Sequence, residues 1–135
     1  MKNYLLLISL LLALSAFRCD RRGGFELGQP FRLQIGEKVR CAAHGGAIQL
    51  IAFKEDSRCP EFTNCLWEGQ VVVQLLIDGD QPQYIDLGLR EGHPQLASKK
   101  VGAYIYRLRT VTPYPQAGKD IAPEEYVIEL IVESI

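Results

Sequence analysis

The chain has 135 residues, with 15 basic and 16 acidic side chains for a net charge of −1 at neutral pH, 47% hydrophobic residues and four cysteines. That length supports one domain with one modest core. No Lys/Arg cluster reaches the density of a nucleic-acid binder, and nothing in the charge balance favours a polyanionic partner.

Met1-Lys2-Asn3 followed by the apolar run from Tyr4 to Phe17 has the pattern of an export signal. The run is short for a bilayer span, which takes about 20 apolar residues. Residues 1–18 are therefore expected to be a signal peptide. Two endings stay open. Cys19, directly after the run, fits the acylated first residue of a bacterial lipoprotein, and 19–29 would then be a flexible tether. Alternatively, cleavage near Ser15 or Ala16 releases a periplasmic or secreted protein. Cutting before Cys19 leaves 117 residues and removes Lys2 and Arg18, so 13 basic residues face 16 acidic ones, a net charge of −3.

The domain is expected over 30–135. Phe31, Leu33 and Ile35 alternate with Arg32 and Gln34, the mark of a half-buried strand. A second strand carries Val39 and Cys41 on one face. Cys41 reads as a buried free thiol if Cys19 is acylated, and as its disulfide partner if not. His44-Gly45-Gly46 forms an exposed tight turn into a strand over 47–54. After the turn-rich stretch 56–69, Val71, Val73, Leu75 and Ile77 line one face of a central strand. Asp78-Gly79-Asp80 closes a hairpin to an edge-like strand holding Ile85, Leu87 and Leu89.

Residues 91–100 read mainly as a loop. Tyr104, Tyr106, Leu108 and Thr110 then face inward on one strand, as do Tyr126, Ile128, Leu130 and Val132 on the last. Between them lies a proline-rich loop, in which Pro123-Glu124-Glu125 can form one helical turn. About seven or eight short strands without helical periodicity predict an all-β fold: an antiparallel, immunoglobulin-like sandwich or a closed barrel.

The stretch Asp56 to Gly69 is read as structural. Cys59 and Cys65, with five residues between them in an exported chain, form the natural disulfide. Pro60 restricts the loop, Trp67 plugs one end of the core, and Gly69 lets the chain bend.

Ser57-Arg58-Cys59-Pro60, followed by Cys65, Trp67 and Gly69, resembles a family of small exported bacterial proteins and lipoproteins of unknown function. The likeness continues at Tyr106-Arg107-Leu108-Arg109, at Pro113-Tyr114-Pro115 and at Ile121-Ala122-Pro123-Glu124-Glu125-Tyr126. It covers most of the domain and departs at Cys41, where an ordinary apolar residue is expected. The resemblance implies an exported β domain and brings no catalytic residues.

Site chemistry is sparse. There is no Gly-x-Ser-x-Gly, no His-Glu-x-x-His and no phosphate-cradling glycine loop. The reading is therefore a non-catalytic cell-envelope domain without a cofactor, reaching the membrane only through a lipid anchor and binding an envelope protein or surface polymer. The candidate binding residues are Tyr114 in its proline-flanked loop and the outward Arg107 and Arg109, with cross-strand pairing to glutamates such as Glu129 as the competing role for the arginines. A periplasmic metal-binding protein using His44, His93 or the acidic loop 55–68 is the alternative.

Overall fold

The computed structural model describes residues 24–41 and 43–135. The expected signal peptide, the fate of Cys19 and the start of the tether lie outside them. Eight strands form two four-stranded antiparallel sheets. They are β1 (Phe31–Gln34), β2 (Lys38–Cys41), β3 (Gly46–Asp56), β4 (Val71–Asp78), β5 (Gln83–Leu89), β6 (Ser98–Val101), β7 (Tyr104–Thr112) and β8 (Val127–Ser134). One sheet has the order β1-β8-β7-β6 and the other β2-β3-β4-β5, and there is no closed barrel. The sandwich is the fold.

Alternation drives the packing. Val71, Val73, Leu75 and Ile77 of β4 face Leu108, Ile128, Leu130 and Val132 of the other sheet within one core cluster, each essentially without solvent contact. Burying each such side chain contributes about 1.5–3 kcal/mol. On the outer face of the second sheet, Lys54 of β3 meets Asp86 of β5 at 2.8 Å.

Three expectations need correction here. Residues 24–29 belong to the domain rather than to a tether. Phe25 is 2% exposed and stacks on Phe31 with centroids 4.7 Å apart, and the Gly28 amide donates to the Val132 carbonyl at 2.7 Å. A lone phenylalanine in a Gly-rich segment carries no period, so the pattern along the chain did not mark it. On β7 the inward series breaks after Leu108, where a bulge beside Arg109 turns Thr110 out and Val111 in. Cys41, buried at the end of β2, is disulfide-bonded rather than a free thiol. A buried thiol and a buried disulfide sulfur present similar apolar surfaces, so strand alternation does not distinguish them.

The register puts the loops 57–70, 90–97 and 113–126 at one end of the sandwich, because Asp56, Val71 and Leu89 pair across one sheet and Thr112 pairs with Val127 in the other. The hairpin turns at 43–45 and 79–82 lie at the opposite end. Residues 94–97 and 123–125 are short 3-10 turns, the second at the expected place.

Candidate functional site at the loop end of the sandwich

The end of β3 anchors this region through charge. Arg58 donates to both oxygens of Asp56, from Nε at 2.8 Å and from Nη2 at 2.7 Å, with side chains 8% and 10% exposed. Its Nη1 also donates to the Val111 carbonyl at 2.8 Å and its Nη2 to the Pro113 carbonyl at 3.1 Å. The Tyr126 hydroxyl donates to Asp56 Oδ2 at 2.8 Å. Burial pushes the Asp56 carboxyl up, but the hydrogen bonds from Arg58 and Tyr126 outweigh it and hold the group below its ordinary value. Burial, reinforced by that carboxylate, raises the Tyr126 hydroxyl to about 12. Tyr114 lies under the Arg58 guanidinium, 4.8 Å from ring centroid to Cζ. One ion pair thus ties together β3, the end of β7, β8 and the proline-rich loop.

From this anchor the chain leaves as a closed loop. Cys59 and Cys65 form the expected disulfide, with Cα atoms 5.9 Å apart. The Pro60 carbonyl accepts from the Thr63 amide at 3.3 Å and from Thr63 Oγ1 at 2.6 Å. The Glu61 amide donates to the Pro115 carbonyl at 3.0 Å, and the Cys59 amide to the Glu68 carbonyl at 3.1 Å. Gly69 then returns the chain to β4 at φ +67°, so close to Ser57 that a Cβ would sit 1.7 Å from its carbonyl oxygen. Gly69 therefore packs against its own domain.

Trp67, by contrast, is 73% exposed, and Phe62 and Leu66 on the same loop are 105% and 107% exposed. Phe62 also adopts φ 60°, an uncommon left-handed conformation for a bulky residue. The core end that Trp67 was expected to plug is filled by Tyr126, stacked on Phe53 at 4.3 Å. Because β4 begins only at Val71, Trp67 precedes the pleat that would have turned it inward. Large apolar side chains at these exposures, clustered on one rigid loop, are the kind of patch that marks an interaction surface. The residue types were visible in the sequence, but their outward direction was set by the loop closure.

Beside the loop runs a groove of about 600 Å³. Leu89, Pro94, Ala97 and Val111 line it together with Tyr114, and Arg90, His93 and Arg109 add polar groups. Glu68, Gly69 and Glu91 also border it. A smaller recess of about 70 Å³ joins Trp67 to Arg90. Of the expected binding residues, Tyr114 and Arg109 meet here. Arg107 does not; it points across the outer face of its sheet toward Glu133 at 3.5 Å, while Arg109 lies 3.7 Å from Glu129.

The residues suggested for metal binding are dispersed. His93 borders the groove, whereas His44 is at the opposite end of the sandwich. His44 is not in an exposed turn. Its ring packs against Phe25, Tyr104 and Tyr106, and Nε2 shares a hydrogen bond with the Tyr106 hydroxyl. Burial lowers its pKa, which contact with the Gly46 backbone only partly offsets. In the acidic loop, Glu55 accepts from Ser57 Oγ at 2.7 Å and Gln70 Nε2 at 2.8 Å, and Asp56 is held by Arg58. Among the described residues no group of three or more His, Cys, Asp or Glu side chains is placed to hold an ion. No described helix is long and apolar enough to cross a membrane. No protein-family model matches the chain, and neither does any curated protein or solved structure.

Proposed function

We propose that the protein is a non-catalytic domain of the bacterial cell envelope that is exported and released and binds a partner through the loop end of its sandwich. A lipid anchor at Cys19 would leave Cys41 a free thiol, and Cys41 is disulfide-bonded. One observation carries the reading: Phe62 and Leu66 project fully from a disulfide-closed loop, with Trp67 beside them 73% exposed. A flexible loop would lose conformational freedom on binding; a closed one loses less. The Cys59–Cys65 bond suits an oxidising compartment, in keeping with the signal-like start of the chain and the family it resembles. Tyr114 and Arg109 remain binding residues in this account, now as part of the groove, and Arg107 drops out.

The test is site-specific photo-cross-linking in the native envelope. A photoreactive residue at position 62, 66 or 67 should give a defined adduct, identified by mass spectrometry, while one at exposed Arg32 on the far sheet edge should not. Equal or absent cross-linking at the two places would refute the reading.

A further inference from the structure

We infer that the partner received by the loop end is a second copy of this chain, each protomer's Phe62–Leu66–Trp67 tip filling the other's groove about a two-fold axis. The inference rests on the reading of the loop end as the binding face and adds the identity of what it binds.

Tip and groove complement each other in shape and polarity, and the groove offers Arg90 and Arg109 to the carboxylates beside the tip. The tip is a convex apolar knob, and the groove beside it is a depression floored by Leu89, Ala97 and Val111. Two carboxylates, Glu61 and Glu68, flank the knob, and neither forms an ion pair among the described residues. The groove's rim presents Arg90, which also has no ion pair there, and Arg109, whose contact with Glu129 is a loose 3.7 Å. Arg58 is spent on Asp56 and contributes no free charge. Two acidic residues also border the groove: Glu91, next to Arg90 in the chain, and Glu68, which stands between the knob and the groove of its own protomer.

A knob cannot fill the groove of its own chain. The disulfide, the Cys59–Glu68 backbone bond and the Glu61–Pro115 backbone bond fix the loop, and the exposures of Phe62 and Leu66 show that it leaves both side chains free. Knob and groove also share one end of the molecule, bordered jointly by Glu68 and Gly69. Complementary patches side by side on one face are what an isologous, closed dimer requires; on opposite faces they would build open filaments. The area is sufficient. With roughly 150–250 Å² for each aromatic, two knobs and the groove surface they cover exceed the ~1,200 Å² of a stable interface. An anionic lipid surface fits the same knob less well, because Glu61 and Glu68 carry its sign.

The experiment is sedimentation velocity of the full chain, purified as its cell produces it, over a wide concentration range. Wild type should dimerise. Leu66→Ser with Trp67→Ser should be monomeric at the same concentrations, and its thermal midpoint should match that of wild type at dilutions where both are monomeric, because both side chains are exposed. Glu68→Arg and Arg90→Glu should each weaken the dimer about tenfold or more, and their equimolar mixture should recover a heterodimer. A wild type that stays monomeric overturns the inference, as does a Leu66/Trp67 variant that still dimerises. If wild type is monomeric while position 67 cross-links to a different protein, the second-copy partner fails and the loop end stands as the binding face. If it is monomeric and Trp67 becomes shielded on phosphatidylcholine or phosphatidylglycerol vesicles, a membrane replaces the second copy. If neither occurs, both readings fail.

Discussion

Arg58 grips Asp56 with two parallel hydrogen bonds, at 2.8 and 2.7 Å, two residues along the same chain and nearly out of water. The pair lies where β3 gives way to the exposed loop, so the groups that seal the core also aim the loop. Replacing Arg58 by Met leaves Asp56 buried without its counter-ion and frees the Val111 and Pro113 carbonyls. Breaking such a pair costs about 3–5 kcal/mol. Urea unfolding of Arg58→Met should show a loss of that size, and Asp56→Asn a smaller one, since the amide still accepts from Arg58.

The same pair sets an acid limit. The Asp56 pKa is lower in the folded state, so its stabilisation is complete above the unfolded value of about 3.9 and is lost as pH falls through the folded value. His44 acts earlier in the same direction. Its lowered pKa means that the unfolded chain binds the proton more readily below about 6.5, and stability falls from there downward. Thermal midpoints should therefore decline from pH 7.5 to 5.5, and decline again below pH 4. His44→Gln should flatten the first step, and Asp56→Asn should reduce the second. Glu55, Asp78 and Asp86, also held low by hydrogen bonds, contribute to that second step as well.

Alkali supplies a separate check. Burial raises the hydroxyls of both Tyr106 and Tyr126 to about 12, so the folded state resists their ionisation. The unfolded chain ionises near 10, and stability should be lost as pH rises beyond that value. Ultraviolet titration of the folded protein should show these two tyrosines ionising last, with Tyr126→Phe removing one of them.

Gly69 tests the loop's return path. An alanine there would need a left-handed conformation and would place Cβ 1.7 Å from the Ser57 carbonyl oxygen. Gly69→Ala should destabilise by about 2 kcal/mol or more, well beyond the ordinary Gly→Ala effect. Gly28→Ala, with φ +77° but nothing within 4 Å of the added carbon, should cost less. Chemical denaturation of the two variants side by side decides this.

Much of the sandwich was legible because half-burial writes itself as alternation. Val71 to Ile77 and Tyr126 to Val132 fall inward as their patterns dictate. What alternation omits was missed. Phe25 is a single anchor with no period, and the bulge at Arg109 shifts the face by one residue. His44 lies in a genuine turn, but that turn folds onto a tyrosine pair. The binding end failed for a related reason. Trp67 reads as inward because it stands next to the run that forms β4, whereas the direction of a loop side chain depends on the disulfide, on the Gly69 contact and on what already fills the core. Tyr126 and Phe53 had taken the space. The disulfide was readable from spacing in a turn-rich segment of an exported chain, but the groove was not, since it joins Leu89, Pro94 and Val111 from separate strands and loops.

The most direct test of the account is hydroxyl-radical footprinting of Trp67, the chain's only tryptophan, with Tyr84 as internal reference. Tyr84 is 62% exposed on β5 toward the opposite end of the sandwich. In dilute purified protein both should be oxidised readily. In the native envelope Trp67 should be protected while Tyr84 reacts as before. Equal oxidation of Trp67 in the two settings, or a Trp67 already protected in the dilute protein, would contradict the claim that this loop is an open face that a partner covers.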